Sequence, residues 1–220
     1  MKKSDYNLLK LQSILITCSI ISPIVTSKLI FTNLKLFNVE VTFSASVFIY
    51  AVVFMLSNVI TEQYGKVYAV ITTRVGIISQ LVASLLLFIV QLLPAQDAEI
   101  QDAYKLILGS NFIFVTAGAT AYFLSQSYNT FLYSQIRKRQ KVQPWTVNIV
   151  STIVGQLVDT VVFLGLAFGL GLQYFFNTEQ RNILLVMMFT QYILRVIIAF
   201  IEIPVFNLLI KNSISSKNNT

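Results

Sequence analysis

Residues Tyr68 to Leu93 read Y-A-V-I-T-T-R-V-G-I-I-S-Q-L-V-A-S-L-L-L-F-I-V-Q-L-L, with Arg74 as the one charge. A helix rising 1.5 Å per residue needs about 20 apolar residues to cross the hydrocarbon layer of a bilayer. This run exceeds that length. It is also too long and too uniformly apolar for a barrel strand, which alternates over about 10 residues. It therefore reads as a transmembrane helix. Working outward, runs of the same kind fall at 8–31, 41–61, 108–135, 146–172 and 182–211. The expected fold is all-α: a polytopic membrane protein, with one six-helix transmembrane domain over residues 1–220.

The composition agrees. The chain is 55% hydrophobic and 11% charged, whereas a soluble domain carries about 25% charged residues. Six spans leave only short connections, so there is no room for an appended catalytic domain, and no G-x-x-x-x-G-K-S/T loop is present. Histidine is absent, which removes Ser/His and Cys/His dyads and every His-containing metal site. Cys18 is the only cysteine, too few for a disulfide or an iron–sulfur cluster. The sequence thus predicts no catalytic residue, no metal and no cofactor. The first run follows Lys2 and Lys3 as a signal peptide would, yet no small-x-small site follows it, so it reads as an uncleaved first helix.

Basic residues set the orientation. Lys2, Lys3, Lys10, Lys66, Arg74, Arg137, Lys138, Arg139, Lys141, Lys211 and Lys217 fall on one side, against Lys28, Lys35, Lys105 and Arg181 on the other. The positive-inside bias places both termini in the cytoplasm, the membrane being a bacterial inner membrane. The +7 net charge therefore reports orientation. The Arg137–Lys141 cluster reads as a solvated loop, with no nucleic-acid partner. Trp145 reads as an interfacial anchor. Pro23 and Pro204 lie inside spans, where each frees a backbone carbonyl that needs a partner or a cavity.

Glu62, Asp159, Arg195 and Glu202 remain in or at the ends of apolar spans. A charge at mid-bilayer costs about 2.5–3.5 kcal/mol on insertion scales, so each should face the bundle interior with a partner. Each has polar company at helical spacing. Asn58, Thr61, Glu62 and Gly65 share one face, as do Thr152, Gly155, Gln156 and Asp159. Gln191, Arg195 and Glu202 form a third stripe, and Tyr122, Ser125, Gln126, Asn129 and Tyr133 a fourth. Amides and hydroxyls in such stripes are ordinary glue between membrane helices, worth about 0.6 kcal/mol per hydrogen bond. Asp159, midway along an otherwise uncharged span, exceeds what glue requires. Glu62, near the cytoplasmic end, is equally well explained as a solvated acid, and Arg195 as the counter-ion of Asp159 or Glu202. Carboxylates and amides with abundant aromatic faces suit a flat, polar-edged heterocycle. An acid accepting two hydrogen bonds from the N1–H and 2-amino edge would favour a guanine-like base.

At Asn58–Lys66, N-V-I-T-E-Q-Y-G-K, the chain resembles the queuosine-precursor transporter family, a branch of the vitamin-uptake-type membrane proteins, whose second helix ends near D-x-I/L-x-E-x-Y-G. Trp145–Phe163, W-T-V-N-I-V-S-T-I-V-G-Q-L-V-D-T-V-V-F, is similar to that family's S-T-x-x-G/S-Q-x-x-D-T-x-x-F. Gln191–Pro204, Q-Y-I-L-R-V-I-I-A-F-I-E-I-P, has the family's base, acid and proline in order, and Tyr122–Asn129 resembles its fourth helix. The resemblance implies uptake of 7-deazaguanine bases (the cyano or aminomethyl form, or queuine) for salvage into transfer-RNA modification. It implies a substrate site drawn from Asn58, Glu62, Tyr122, Asn129, Gln156, Asp159, Arg195 and Glu202.

Two positions depart from the family pattern: Asn58 stands where aspartate is more usual, and Val147 where arginine often precedes the S-T block. Losing an acid and a base together either preserves the net cavity charge or marks a different preferred precursor. Two modes of action stay open. One is a self-sufficient carrier, alone or as a homo-oligomer. The other is the substrate-binding subunit of an energy-coupling-factor transporter, docked on an ATPase module, against which the absence of alanine before Ala45 argues. An enzyme is disfavoured by the missing motifs.

Overall fold

The computed structural model describes residues 3–36, 39–138 and 144–217. Seven α-helices follow in order: α1 (Lys3–Thr26), α2 (Ser46–Tyr64), α3 (Lys66–Leu92), α4 (Ala98–Leu108), α5 (Asn111–Lys138), α6 (Pro144–Leu164) and α7 (Thr178–Lys217). A two-stranded hairpin, β1 (Leu29–Leu36) and β2 (Val39–Ser44), lies between α1 and α2. A π-helical turn, Gly165–Gly171, prolongs α6.

Among the described residues, five segments are long and apolar enough to cross a membrane: Asp5–Thr26, Lys66–Leu92, Ala98–Ser125, Ile153–Gly171 and Thr178–Ile201. The expected second span is shorter than predicted, with its apolar stretch at Ser46–Thr61. The hairpin is the reason. It takes Leu29–Phe31 from the end of the expected first span and Val41–Phe43 from the start of the second. Leu34-Lys35-Leu36 and Val39-Glu40-Val41 alternate with period two, and Ile30-Phe31-Thr32 with Val41-Thr42-Phe43 supply residues that favour strands. Thr32 Oγ1 donates to Val41 O across the pair at 3.0 Å. Asn33 takes a left-handed φ of 57°, a conformation asparagine tolerates better than most residues. The chain is predominantly helical, as the all-α expectation has it, with this hairpin in addition.

The chain divides into two compact units. The first comprises Met1–Lys28, Ser44–Phe112 and Ile197–Thr220. Its apolar core is Leu15, Leu56, Ile60 and Ala69, from α1, α2 and α3. The buried face of α3 is Ala69, Thr72, Gly76, Gln80 and Ser84, while Leu85, Leu86, Phe88 and Ile89 point outward. That is the reverse of a helix in a water-soluble protein. It is what lipid selects, since small and polar residues let helices approach and bond while leucine faces the tails.

The stripe on α3 is used. Gln12 Nε2 of α1 donates to Thr72 Oγ1 at 2.8 Å. Ser19 of α1 lies against Gly76, its Oγ 3.6 Å from where a Cβ would stand. Asn111 Nδ2 donates to Ser84 Oγ at 3.1 Å. Pro23 has no N–H, so the carbonyl four residues earlier, Ser19 O, lacks its helical donor. Gln80 Nε2 supplies one. The partner expected for the proline-freed carbonyl of α1 is thus a side chain of α3. Pro204 lies where side chains are outside the described residues.

The second unit comprises Leu29–Phe43 and Ile113–Val196. Its core joins Phe114, Ala117 and Ala121 of α5, Phe163 and Leu164 of α6, Ala167 and Phe168 of the π turn, and Leu184 and Met187 of α7. Phe114 and Phe168 stack with centroids 5.5 Å apart, and Phe168 meets Tyr174 edge-on at 5.9 Å. Glycine is required in the π turn: a Cβ on Gly171 would stand 2.4 Å from Ile113 Cγ2 and 3.1 Å from Leu166 O.

Candidate functional site

One helical turn beyond this apolar core the second unit becomes polar on three helices at once. Four residues from Ala121 stands Ser125, four before Phe163 stands Asp159, and four beyond Met187 stands Gln191, followed by Arg195. The spacing of four keeps each polar residue on the face its helix already turns inward. All four are buried, as are Gln156 and Thr160.

Arg195 Nη1 donates to Asp159 Oδ2, forming a salt bridge between α7 and α6. Ser125 Oγ of α5 lies 3.4 Å from Asp159 Oδ1 and within 3.1 Å of Tyr122 O. Asp159 Oδ2 is therefore engaged by Arg195, while Oδ1 is within reach of the Ser125 hydroxyl, whose single proton is shared between it and Tyr122 O. The side chains of Arg195 and Asp159 are 5% and 11% exposed, so water does little to solvate either charge. A buried pair of this kind offsets its desolvation only through good geometry and further hydrogen bonds, and losing one partner strands the other.

On α6, Thr160 Oγ1 donates back to Gln156 O at 2.8 Å, which uses its hydroxyl within the helix. Gln156 is different. Its Oε1 is buried without a hydrogen-bond partner among the described residues. An unsatisfied buried acceptor costs about 1–3 kcal/mol, so this one is a standing demand for a donor. The cluster thus contains an acid and a base that satisfy each other, a hydroxyl that steadies them, and an amide with unspent capacity one turn away.

Of the eight residues expected at a substrate site, Asp159 and Arg195 are in direct contact, Gln156 shares the inward face of Asp159, and Tyr122 is half-buried one turn before Ser125. The side chains of Asn58, Glu62, Asn129 and Glu202 lie outside the described residues, as do Val147 and Trp145. Asn58, Glu62 and Glu202 belong to the first unit and Asn129 to the second. Ser125 had a place in a stripe but no role; its contact with Asp159 depends on how α5 docks, which spacing along one helix cannot reveal. Among the described residues no three His, Cys, Asp or Glu side chains are grouped as a metal site would require.

Long apolar helices with lipid-type inverted packing, and a buried charged cluster inside them, define a multi-pass membrane protein with a polar interior. The family model described as "putative vitamin uptake transporter" matches residues 44–209, and the chain belongs to that family. No curated protein and no solved structure matches the chain significantly. Membership makes it a transporter rather than an enzyme, and it does not favour the alternative of a substrate-binding subunit of an energy-coupling-factor system.

Proposed function

We propose that this transporter imports queuosine precursors, 7-deazaguanine bases such as the cyano or aminomethyl form or queuine, for salvage into transfer-RNA modification. The observation that carries the proposal is the Asp159–Arg195–Ser125 cluster with the unspent Gln156 amide beside it. Its Gln156 and Asp159 fall in the Trp145–Phe163 segment whose Q-x-x-D-T motif resembles the queuosine-precursor branch. A deazaguanine offers ring N–H and exocyclic amino donors in one plane. Gln156 Oε1 needs a donor, and the Asp159 carboxylate, held at Oδ2 by Arg195, still has lone pairs to accept one more. Discrimination follows, because a base lacking those donors leaves the buried acceptors unpaired.

The carrier works without an ATPase module in this reading, in a bacterial inner membrane with both termini cytoplasmic. The test is queuosine content of transfer RNA in cells unable to make the precursor, given each deazaguanine in turn. Wild-type chain should restore queuosine, and Asp159→Asn and Glu62→Gln, expressed to the same level in the membrane, should not. No restoration with any precursor would defeat the assignment.

A further inference from the structure

The connection between α3 and α5 contains a helix of its own. α4, Ala98–Leu108, is capped at its start by Asp97, whose Oδ1 accepts from Glu99 N at 2.9 Å. No residue of α4 is buried. At 100° per residue, Ala103, Ile107, Ile100, Tyr104 and Leu108 fall on one arc, while Gln101, Lys105, Asp102 and Glu99 fall on the other, with Leu106 the one large apolar residue among them. Ile100, Tyr104 and Ile107 are each about half exposed (52%, 46% and 48%). In water, such an arc would be a liability.

Three observations say what covers it. First, α4 sits between two helices of membrane-spanning length, with α3 ending at Leu92 and α5 beginning at Asn111. Second, α5 has 28 residues, which at 1.5 Å each gives roughly 42 Å, more than the hydrocarbon thickness of about 30 Å. α5 is thus long enough to span by itself, although the apolar segment Ala98–Ser125 runs through α4 as well. Third, the polar arc is tethered to the end of α3: Gln101 Nε2 donates to Gln91 O at 3.2 Å, and Ala95 N donates to Gln101 Oε1 at 3.0 Å. α4 is therefore held against the C-terminal end of α3.

We propose that α4 lies in the membrane interface, its Ile100–Tyr104–Ile107 arc seated at the boundary between headgroups and acyl chains and its polar arc in water. Such helices sink about 5–10 Å into that boundary. With Asp97, Glu99 and Asp102 against the single Lys105, attraction to anionic lipid does not hold it there; apolar burial does. Its seating is accordingly insensitive to salt and to lipid charge.

The test uses the full chain in liposomes, with Cys18→Ser and single cysteines placed in turn at residues 99 to 107, each carrying a nitroxide. The ratio of collision with oxygen to collision with a water-soluble nickel chelate is then read by spin resonance. The expected result is a helical oscillation, with the ratio severalfold higher at 100, 104 and 107 than at 99, 102 and 105, unchanged between zwitterionic and anionic vesicles. Uniform nickel access overturns the proposal in favour of a solvated helix. Exclusion of both agents at 100, 104 and 107 overturns it in favour of a protein partner or second copy on that arc. Exclusion of nickel at every position, with oxygen high throughout, overturns it in favour of α4 as part of the span.

Discussion

Removing one member of the Asp159–Arg195 pair should damage the fold, and removing both should damage only transport. The two side chains are 11% and 5% exposed, so neither charge can fall back on water when its partner goes. Breaking a buried pair on one side costs about 3–5 kcal/mol, whereas replacing both by apolar residues of similar volume is neutral or stabilising by about 1–4 kcal/mol. Arg195→Met removes the base from the buried carboxylate, leaving Ser125 Oγ at 3.4 Å. Asp159→Leu removes the carboxylate that pairs with the buried guanidinium. Each single variant should lose about 3–5 kcal/mol in equilibrium unfolding from mixed micelles, and the double variant should return to within about 1 kcal/mol of wild type. Uptake should be lost in all three. Additive single effects, with no recovery in the double variant, would refute the reasoning that these two charges chiefly satisfy each other. Recovery of both stability and uptake would show that the pair is structural and that the substrate is read elsewhere.

Three further outcomes follow from named contacts. Gln80→Leu removes the donor that replaces the missing N–H of Pro23; it should cost about 1–3 kcal/mol alone and markedly less in a Pro23→Ala background, where residue 23 can again donate to Ser19 O. A double-mutant cycle in detergent unfolding checks this. Gln156→Leu removes an unsatisfied buried acceptor; thermal unfolding should show unchanged or greater stability, while the half-saturating precursor concentration for uptake rises at least tenfold, about 1.4 kcal/mol. Gly171→Val would push a side chain into Ile113 and Leu166 O, with a loss of about 1–3 kcal/mol by the same unfolding assay.

The parts legible in the sequence are those with a strong one-dimensional signal. The run Tyr68–Leu93 could be little else than a membrane helix, and α3 occupies Lys66–Leu92. Asp159 and Arg195 stood out because a charge within an apolar span demands a partner, and they are each other's partner. Pro23 announced a free carbonyl, though not which helix would answer it.

What escaped was hidden beneath average hydropathy. Leu29–Phe31 and Val41–Phe43 are as apolar as the helices they adjoin, so only the period-two alternation at Leu34–Leu36 and Val39–Val41 marked the hairpin. α4 was masked by its charges, although Asp97 followed by Glu99 and apolar residues at 100, 103, 104 and 107 is a helix-start pattern. The buried stripe Thr72, Gly76, Gln80 and Ser84 recurs every four residues and was also readable. It drew no attention because it carries no charge.

The account's central claim concerns what is carried. The purified chain should be reconstituted alone into liposomes and uptake of radiolabelled 7-cyano-7-deazaguanine followed, with queuine, guanine and adenine as competitors. The account predicts saturable uptake without any added ATPase, suppressed by the deazaguanines more strongly than by adenine, and absent from the Asp159→Leu, Arg195→Met double variant that is expected to keep its fold. Uptake no faster than in empty liposomes with any deazaguanine, or undiminished uptake through the double variant, would contradict it.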